Sequence, residues 1–177
     1  MPLPATIRPA TPDDAATLSA FARDCFHDAF AADNRAEDMA AYLAATFSPE
    51  RQAAEIADAA TTVLLAHVDG ALAGYALLAT GAAPPAITGP APIELRRFYV
   101  ARPWHGRGVA DRLMDAVLDT ARARGAATLW LGVWERNPRA IAYYRKRGFV
   151  DVGSWAFVLG SDRQTDRVMT RAISDER

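Results

Sequence analysis

The chain has 177 residues, of which 51% are hydrophobic and 23% charged, with a formal net charge of −1 and one cysteine. This length predicts a single domain over residues 1–177, and the composition excludes a disordered chain, an internal disulfide framework and a general nucleic-acid binder. No apolar stretch approaches the ~18 residues of a membrane helix and the N-terminus carries no secretory pattern, so we expect a cytoplasmic protein with no membrane partner.

The first half of the chain predicts a strand, three helices and a hairpin. Capping residues followed by apolar residues at helical spacing indicate the helices, and Asp69-Gly70 is a hairpin turn signal. The predicted elements are a strand at about 6–10, helices at about 13–30, 36–47 and 49–59, and strands at about 62–67 and 72–79. Residues 80–92, rich in Ala, Gly and Pro, predict a loop.

The second half alternates strands and helices. Val109, Leu113, Val117 and Ala121 recur at helical spacing and predict a buried helix face. The predicted elements are strands at about 93–100 and 128–134, helices at about 108–124 and 138–146, and closing strands at about 150–159 and 165–172 around Gly160-Ser161-Asp162. This order predicts an α/β (α+β) domain with one mixed sheet.

A glycine-containing segment at residues 102–110 joins a predicted strand to a predicted helix. Gly106 and Gly108 let the backbone turn with its N–H groups pointing one way, and the helix start adds unpaired N–H groups and partial positive charge. Together these features suit a pyrophosphate. The side-chain donors of the segment are Arg102, His105 and Arg107. A glycine turn that binds no ligand is the alternative.

Several other chemistries are disfavoured. Val109 and Ala110 follow Gly108 where a P-loop needs Lys and then Ser or Thr, and Asp111 replaces the third small residue of a dinucleotide fingerprint. No Gly-x-Ser-x-Gly elbow indicates a hydrolase. No histidine has a partner at metal-ligand spacing, so we expect no metal site, and Cys25 on an apolar helix face is interpreted as a core residue.

Two segments resemble the motifs of the Gcn5-related N-acetyltransferase (GNAT) superfamily. The first comprises residues 94–100 and 105–110, and it matches the pattern Gln/Arg-x-x-Gly-x-Gly/Ala at Gly108 and Ala110, with His105 in the first position. The second, residues 137–149, resembles Asn-x-x-Ala-x-x-x-Tyr-x-x-x-Gly-Phe. The resemblance covers about residues 6–172. It implies an acetyl-CoA-binding fold with a single mixed, mostly antiparallel sheet flanked by helices.

A closer resemblance is to the PaiA-type polyamine N-acetyltransferases. It rests on residues 129–137, on residues 34–39 with Tyr42-Leu43, and on residues 164–166 with Met169. Many protein N-terminal acetyltransferases of the superfamily have a catalytic Glu in the place of Gly132, so this glycine weighs against that branch. The resemblance implies a polyamine such as spermidine or spermine as the acceptor.

The resemblance also implies direct attack of a primary amine on acetyl-CoA in a ternary complex. An amine with a pKa of about 10 must first lose a proton. We expect Glu94 to be the general base, Tyr144 the general acid and Asn137 the residue that holds the pantetheine arm. Their alternatives are a surface carboxylate, a packed aromatic and a helix cap. The residues expected to bind acetyl-CoA, some through backbone N–H groups, are Phe98, Tyr99, Val100, His105, Gly106, Arg107, Gly108, Val109, Ala110, Asn137, Ala140 and Tyr144.

The charge distribution suggests two sites of opposite preference. Residues 1–95 contain 4 arginines and 12 acidic residues, a net charge of −8, whereas residues 96–177 contain 16 basic and 9 acidic residues, a net charge of +7. The acidic half is expected to attract a cationic amine and the basic half the phosphates of coenzyme A. The expected substrate-binding residues are Asp28, Asp33, Glu37 and Asp38. Solvated surface is the alternative.

Other functions stay open from the sequence. An acetyltransferase of this type could act on a peptide N-terminus, a lysine, an amino acid or an antibiotic. A sensor that binds acetyl-CoA without turnover, or an interaction domain, is a different class of protein with the same fold. A homodimer that pairs exposed final strands also stays open.

Overall fold

The computed structural model describes residues 4–173, which form seven strands and five α-helices. The strands are β1 (Thr6–Pro9), β2 (Thr61–Val68), β3 (Ala71–Ala79), β4 (Pro92–Val100), β5 (Thr128–Trp134), β6 (Val150–Leu159) and β7 (Asp162–Ala172). The helices are α1 (Ala15–Phe30), α2 (Ala36–Thr46), α3 (Pro49–Ala57), α4 (Val109–Ala123) and α5 (Pro138–Lys146). Short 3₁₀ turns lie at Pro12–Asp14, Ala31–Asp33 and Arg102–Trp104.

All seven strands form one sheet in the order β1-β2-β3-β4-β5-β7-β6. Within residues 4–173, β4 and β5 are the only parallel neighbours, so the predicted mixed, mostly antiparallel sheet is confirmed. These two strands pair only from Pro92 opposite Thr128 to Glu94 opposite Trp130. Beyond that point they continue without pairing, so the sheet is open between their C-terminal ends.

Helices cover both faces of the sheet. On one face α4 and α5 pack on the strands, and the predicted buried residues Val109, Leu113, Val117 and Ala121 are each 0% exposed, because helical periodicity places them on one stripe. On the other face α1, α2 and α3 enclose a second core around residues such as Phe26. None of the helices in residues 4–173 is long and apolar enough to cross a membrane.

The start of β7 differs most from the prediction. It lies at Asp162 and not at Thr165, so Gly160 and Ser161 form the whole turn. Gly160 has a φ of +59°, a conformation that glycine adopts without a steric penalty and that permits this tight reversal. The predicted helix at 13–30 also begins differently, with a 3₁₀ turn before α1 starts at Ala15.

Candidate active site

A cavity of about 450 Å³ lies where β4 and β5 separate. Phe98 and Tyr144 line it from the face covered by α4 and α5, whereas Phe30 and Tyr99 line it from the face covered by α1, α2 and α3. The cavity therefore passes through the sheet, and molecules that enter from opposite faces can meet inside it.

A bulge in β4 borders this cavity. Leu77 on β3 lies opposite Arg97, but the next residue, Leu78, lies opposite Leu95, so Arg96 is an extra residue in β4. A bulge bends the strand and interrupts its hydrogen-bond ladder. The irregularity lies just beyond the last pair between β4 and β5, at Glu94, whereas β4 stays paired with β3 as far as Val100, so the sheet opens only on the β5 side.

The loop between β4 and α4 turns at its two glycines. Gly106 and Gly108 have φ values of +73° and +83°. The N–H of Arg112 donates to the carbonyl of Gly108 at 3.1 Å, as the first bond of α4. The N–H groups of residues 109–111 precede that bond, so they have no carbonyl partner within the helix. Val109 is fully buried, whereas Ala110 and Asp111 are partly exposed.

The side chains of this loop hold it in place. The Nε2–H of His105 donates to the carbonyl of Val100 at 2.6 Å and ties the loop to the end of β4. The Nη2 group of Arg102 donates to the carbonyl of Asp28 at 3.0 Å and ties the loop to α1. The Arg107 guanidinium lies over the Trp104 ring, 5.9 Å from its centroid.

Most of the expected acetyl-CoA residues meet at the cavity. Those that line it are Phe98, Tyr99, Val100, His105, Ala110, Asn137, Ala140 and Tyr144. Gly106, Arg107, Gly108 and Val109 belong to the adjoining loop but do not line the cavity.

Asn137 and Tyr144 come to the cavity from α5. The Oδ1 atom of Asn137 accepts from the N–H of Ala140 at 3.2 Å, so the residue caps α5 and also lines the cavity. Tyr144 is 8% exposed and packs edge-on against Phe98 and Phe149, with ring centroids 6.3 Å and 5.6 Å away. Burial raises the pKa of the Tyr144 phenol, which therefore keeps its proton at neutral pH.

The four expected substrate carboxylates separate into two pairs. Asp28 and Asp33, at the C-terminal end of α1 and just after it, line the cavity. Glu37 is exposed and pairs with Arg35 at 3.1 Å. Asp38 accepts from the Ser161 hydroxyl at 2.9 Å, so it joins α2 to the turn between β6 and β7 and does not line the cavity.

Glu94 lies outside the cavity lining. It sits opposite Trp130, where β4 and β5 are still paired, and not in the open part of the sheet. Its Oε2 atom accepts from Nη2 and Nε of Arg96 at 2.9 Å and 3.1 Å. The predicted base is therefore engaged in an ion pair at the closed end of the gap.

A buried ion pair supports the cavity from the side of α3, and no pattern in the sequence indicates it. Arg97, which lines the cavity, binds Glu55 through two hydrogen bonds of 2.6 Å and 3.0 Å, and both side chains are about nine-tenths buried. The Arg97 guanidinium also lies 5.0 Å from the centroid of the Phe47 ring. The two charged residues are 42 positions apart in the chain, so no local pattern could pair them.

Asp166 lies beside the cavity, next to Gly132 and outside the lining, and sequence reasoning did not assign it to the site. It is 9% exposed, and a Cβ atom placed on Gly132, which lines the cavity, would lie 3.1 Å from its Oδ2 atom. Burial raises the pKa of Asp166 to about 6, and hydrogen bonding from Trp155 acts in the opposite direction. A glycine inside the apolar β5 sequence is a signal of such a close approach.

Cys25 also lines the cavity, yet it is not prepared to act as a nucleophile. It is buried, and burial raises the pKa of its thiol to about 12, with Asp28 and Asp24 acting in the same direction. At neutral pH the thiol stays protonated, which agrees with the interpretation of Cys25 as a packing residue.

Comparison with known proteins identifies a family and several similar proteins. The model of the acetyltransferase (GNAT) family matches residues 21–149. An uncharacterized N-acetyltransferase of Lactobacillus delbrueckii subsp. lactis is 35% identical over 154 residues, which are 87% of this chain and 89% of the relative. The streptothricin acetyltransferase of Streptomyces lavendulae is 37% identical over 99 residues, 56% of this chain and 49% of that protein. The crystal structure of the PaiA N-acetyltransferase from Thermoplasma acidophilum in complex with coenzyme A has the same fold, with a TM-score of 0.76, 20% identity and coverage of 96% of this chain and 99% of that one.

Proposed function

This chain belongs to the acetyltransferase (GNAT) family and is an N-acetyltransferase that uses acetyl-CoA, and from that premise we propose that its acceptor is a polyamine such as spermidine or spermine. Asp28 and Asp33 support this proposal because both line the cavity near an aromatic surface formed by Phe30 and Trp134, whose ring centroids are 5.8 Å apart. Carboxylates and aromatic rings both attract ammonium groups. An extended polycation would place one amine in the cavity and its other charges at the carboxylates.

The residues around the loop have the chemistry to hold acetyl-CoA, which supplies the acetyl group as a thioester when bound. The N–H groups of Ala110 and Asp111, which have no carbonyl partner within α4, and the N-terminus of α4 suit the pyrophosphate. Three arginines of the cavity wall, Arg102, Arg136 and Arg139, add positive charge for the phosphates. Asn137 keeps its amide N–H₂ group available for the pantetheine arm, because its contact with α5 uses Oδ1.

Tyr144 has the properties of the proposed general acid. Its phenol lies at the cavity, keeps its proton at neutral pH and can deliver that proton to the leaving sulfur. Expected results for Tyr144→Phe are a loss of kcat by a factor of about 10²–10⁴ and an unchanged affinity for acetyl-CoA. An unchanged kcat would remove Tyr144 from this role. Glu94 stays the predicted base from the sequence, and Glu94→Gln tests it in the same assay.

The acceptor is tested by the release of free thiol from acetyl-CoA with spermidine, spermine, putrescine, lysine, short peptides and aminoglycosides. We expect turnover with the polyamines and a KM for spermidine that rises with salt, because the attraction is electrostatic. Replacing both carboxylates, Asp28→Asn with Asp33→Asn, is expected to raise this KM about fivefold or more, as two exposed ion pairs predict. The matched control is Asp24→Asn, an exposed acid on α1 that does not line the cavity. No turnover with polyamines, together with turnover of another amine, would overturn the proposed acceptor.

An antibiotic acceptor is the second candidate. The relative from Streptomyces lavendulae is named for streptothricin, and its similarity covers 56% of this chain. A streptothricin added to the same panel distinguishes the candidates, since a higher kcat/KM for the antibiotic than for spermidine would favour this alternative.

A homodimer that pairs along β6 is the proposed assembly. β6 is the last strand of the sheet, and it exposes Val150, Val152 and Val158, with Val150 and Val158 each 59% exposed. An apolar edge strand is a template for pairing with a second copy.

A cytoplasmic location also fits the lone buried Cys25, since reducing compartments keep thiols free.

A further inference from the structure

Asp166 stands beside the glycine backbone that forms part of the cavity wall. It lies on β7 opposite Trp134 of β5 and Trp155 of β6, and residues opposite one another in an antiparallel ladder share a face. Gly132 is two positions before Trp134, so it has the same orientation, and both residues line the cavity. With Oδ2 only 3.1 Å from the point where a Cβ of residue 132 would lie, the carboxylate occupies the space that a side chain at 132 would take.

The surroundings of Asp166 contain no cation that would neutralise it. Within residues 4–173 no ion pair joins it to an arginine or lysine. The groups that face it are the indoles of Trp134 and Trp155 and, from α2, the phenol of Tyr42, whose own pKa is raised by burial so that it stays neutral. A nearly buried carboxylate without a cationic partner lowers the stability of the folded protein. Titratable groups in such an environment are often found at functional sites.

From this geometry we propose that Asp166 is the group that accepts the proton of the acceptor amine, directly or through one water molecule. The proposal rests on the proposed transfer of acetyl to a primary amine. One proton passes from the ammonium group to Asp166, the freed nitrogen forms its bond to the acetyl carbon, the carbon–sulfur bond breaks, and Tyr144 gives a proton to the sulfur. The acylated nitrogen still carries a second surplus proton, which passes to the Tyr144 phenolate, and Asp166 releases its proton to solvent. One ammonium ion and acetyl-CoA thus give the amide, coenzyme A with a free thiol and one proton.

Asp166 is better suited to this role than Glu94. The Glu94 carboxylate already accepts two hydrogen bonds from Arg96, at 2.9 Å and 3.1 Å, and it lies where β4 and β5 are paired. The Asp166 carboxylate is not itself part of the cavity lining, but it has no cationic partner, and it adjoins Gly132, which lines the open gap. Its pKa of about 6 leaves it ionised at neutral pH but more basic than an ordinary aspartate.

The decisive experiment is the pH profile of kcat/KM for Asp166→Asn, with spermidine or whichever amine of the panel turns over. In the wild-type protein Asp166 can deprotonate a bound ammonium, so kcat/KM should fall below about pH 6 and stay level up to about pH 9. Asp166→Asn cannot remove that proton and must use amine that is already neutral. We expect kcat/KM to drop by about 10²–10⁴ at pH 7 and to rise tenfold per pH unit up to about pH 9.

Two control proteins keep this result specific. Asp162→Asn makes the same chemical change at an exposed position of the same strand and should leave the profile unchanged. Glu94→Gln compares the other carboxylate directly. A level profile in Asp166→Asn, or the loss of the plateau in Glu94→Gln alone, overturns the assignment.

A readout without substrate separates catalysis from a structural role. A structural carboxylate would lower the melting temperature when replaced, whereas removal of an unpaired buried charge should raise it at pH 7.5 and leave it nearly unchanged at pH 4. A lower melting temperature at pH 7.5 overturns the proposal. If the wild-type protein acetylates a different amine, only the proposal of a polyamine acceptor is overturned. If it acetylates none of the amines, both proposals are overturned.

Discussion

Replacement of Asp166 by Asn should make the protein more stable at neutral pH, and the structure gives the size of the effect. Burial raises the pKa of Asp166 to about 6 in the folded protein, compared with about 3.9 in an unfolded chain. Because the folded pKa is the higher one, the contribution to stability is fully present below about pH 4 and is lost as the pH rises through about 6. Two pH units at 1.36 kcal/mol each correspond to about 2–3 kcal/mol lost by the wild-type protein.

Asn carries no charge and should not suffer this loss. Urea unfolding of both proteins at pH 4, 5.5 and 7.5 measures the difference in the free energy of unfolding, which should grow from near zero to about 2–3 kcal/mol in favour of Asp166→Asn. Asp14 and Asp151 are paired with arginines that lower their pKa values, and their opposite pH dependence cancels because both proteins contain them. A difference that does not change with pH, or one that favours the wild-type protein at pH 7.5, would refute the reasoning.

Three further outcomes are expected. Glu55→Ala leaves the Arg97 guanidinium buried without its partner, and urea unfolding should show a loss of about 3–5 kcal/mol. Gly108→Ala introduces a side chain at a φ of +83°, which costs about 1–2 kcal/mol of strain, and should therefore raise the Kd for acetyl-CoA measured by calorimetry. The control Gly81→Ala, at a position in open space with no unusual φ, should behave as wild type. Val158→Lys should convert a dimer to a monomer in light scattering with activity per chain retained, and a wild-type protein that is already monomeric would contradict the assembly.

Much of the fold follows from local patterns in the chain. The period of the apolar residues in α4 places Val109, Leu113, Val117 and Ala121 in the core, and the predicted boundaries of β5, α5 and β6 agree with the structure. Gly106 and Gly108 also indicated a backbone turn between a strand and a helix, and both adopt the positive φ that glycine permits. The site is less local. Whether a carboxylate lines the cavity depends on contacts between distant segments, as the binding of Asp38 to Ser161 illustrates.

The sequence by itself determined the family, the order of the elements and the loop that suits a pyrophosphate, because motif spacing, hydrophobic period and glycine conformation are properties of neighbouring residues. Only the tertiary structure decided which carboxylates belong to the cavity. Pairing between β4 and β5 stops at Glu94, which leaves that residue at the closed end, and the pairing of β5 with β7 brings Asp166 beside Gly132. These relations join residues more than 30 positions apart. Strand register determines the positions of both carboxylates, and burial raises the pKa of Asp166.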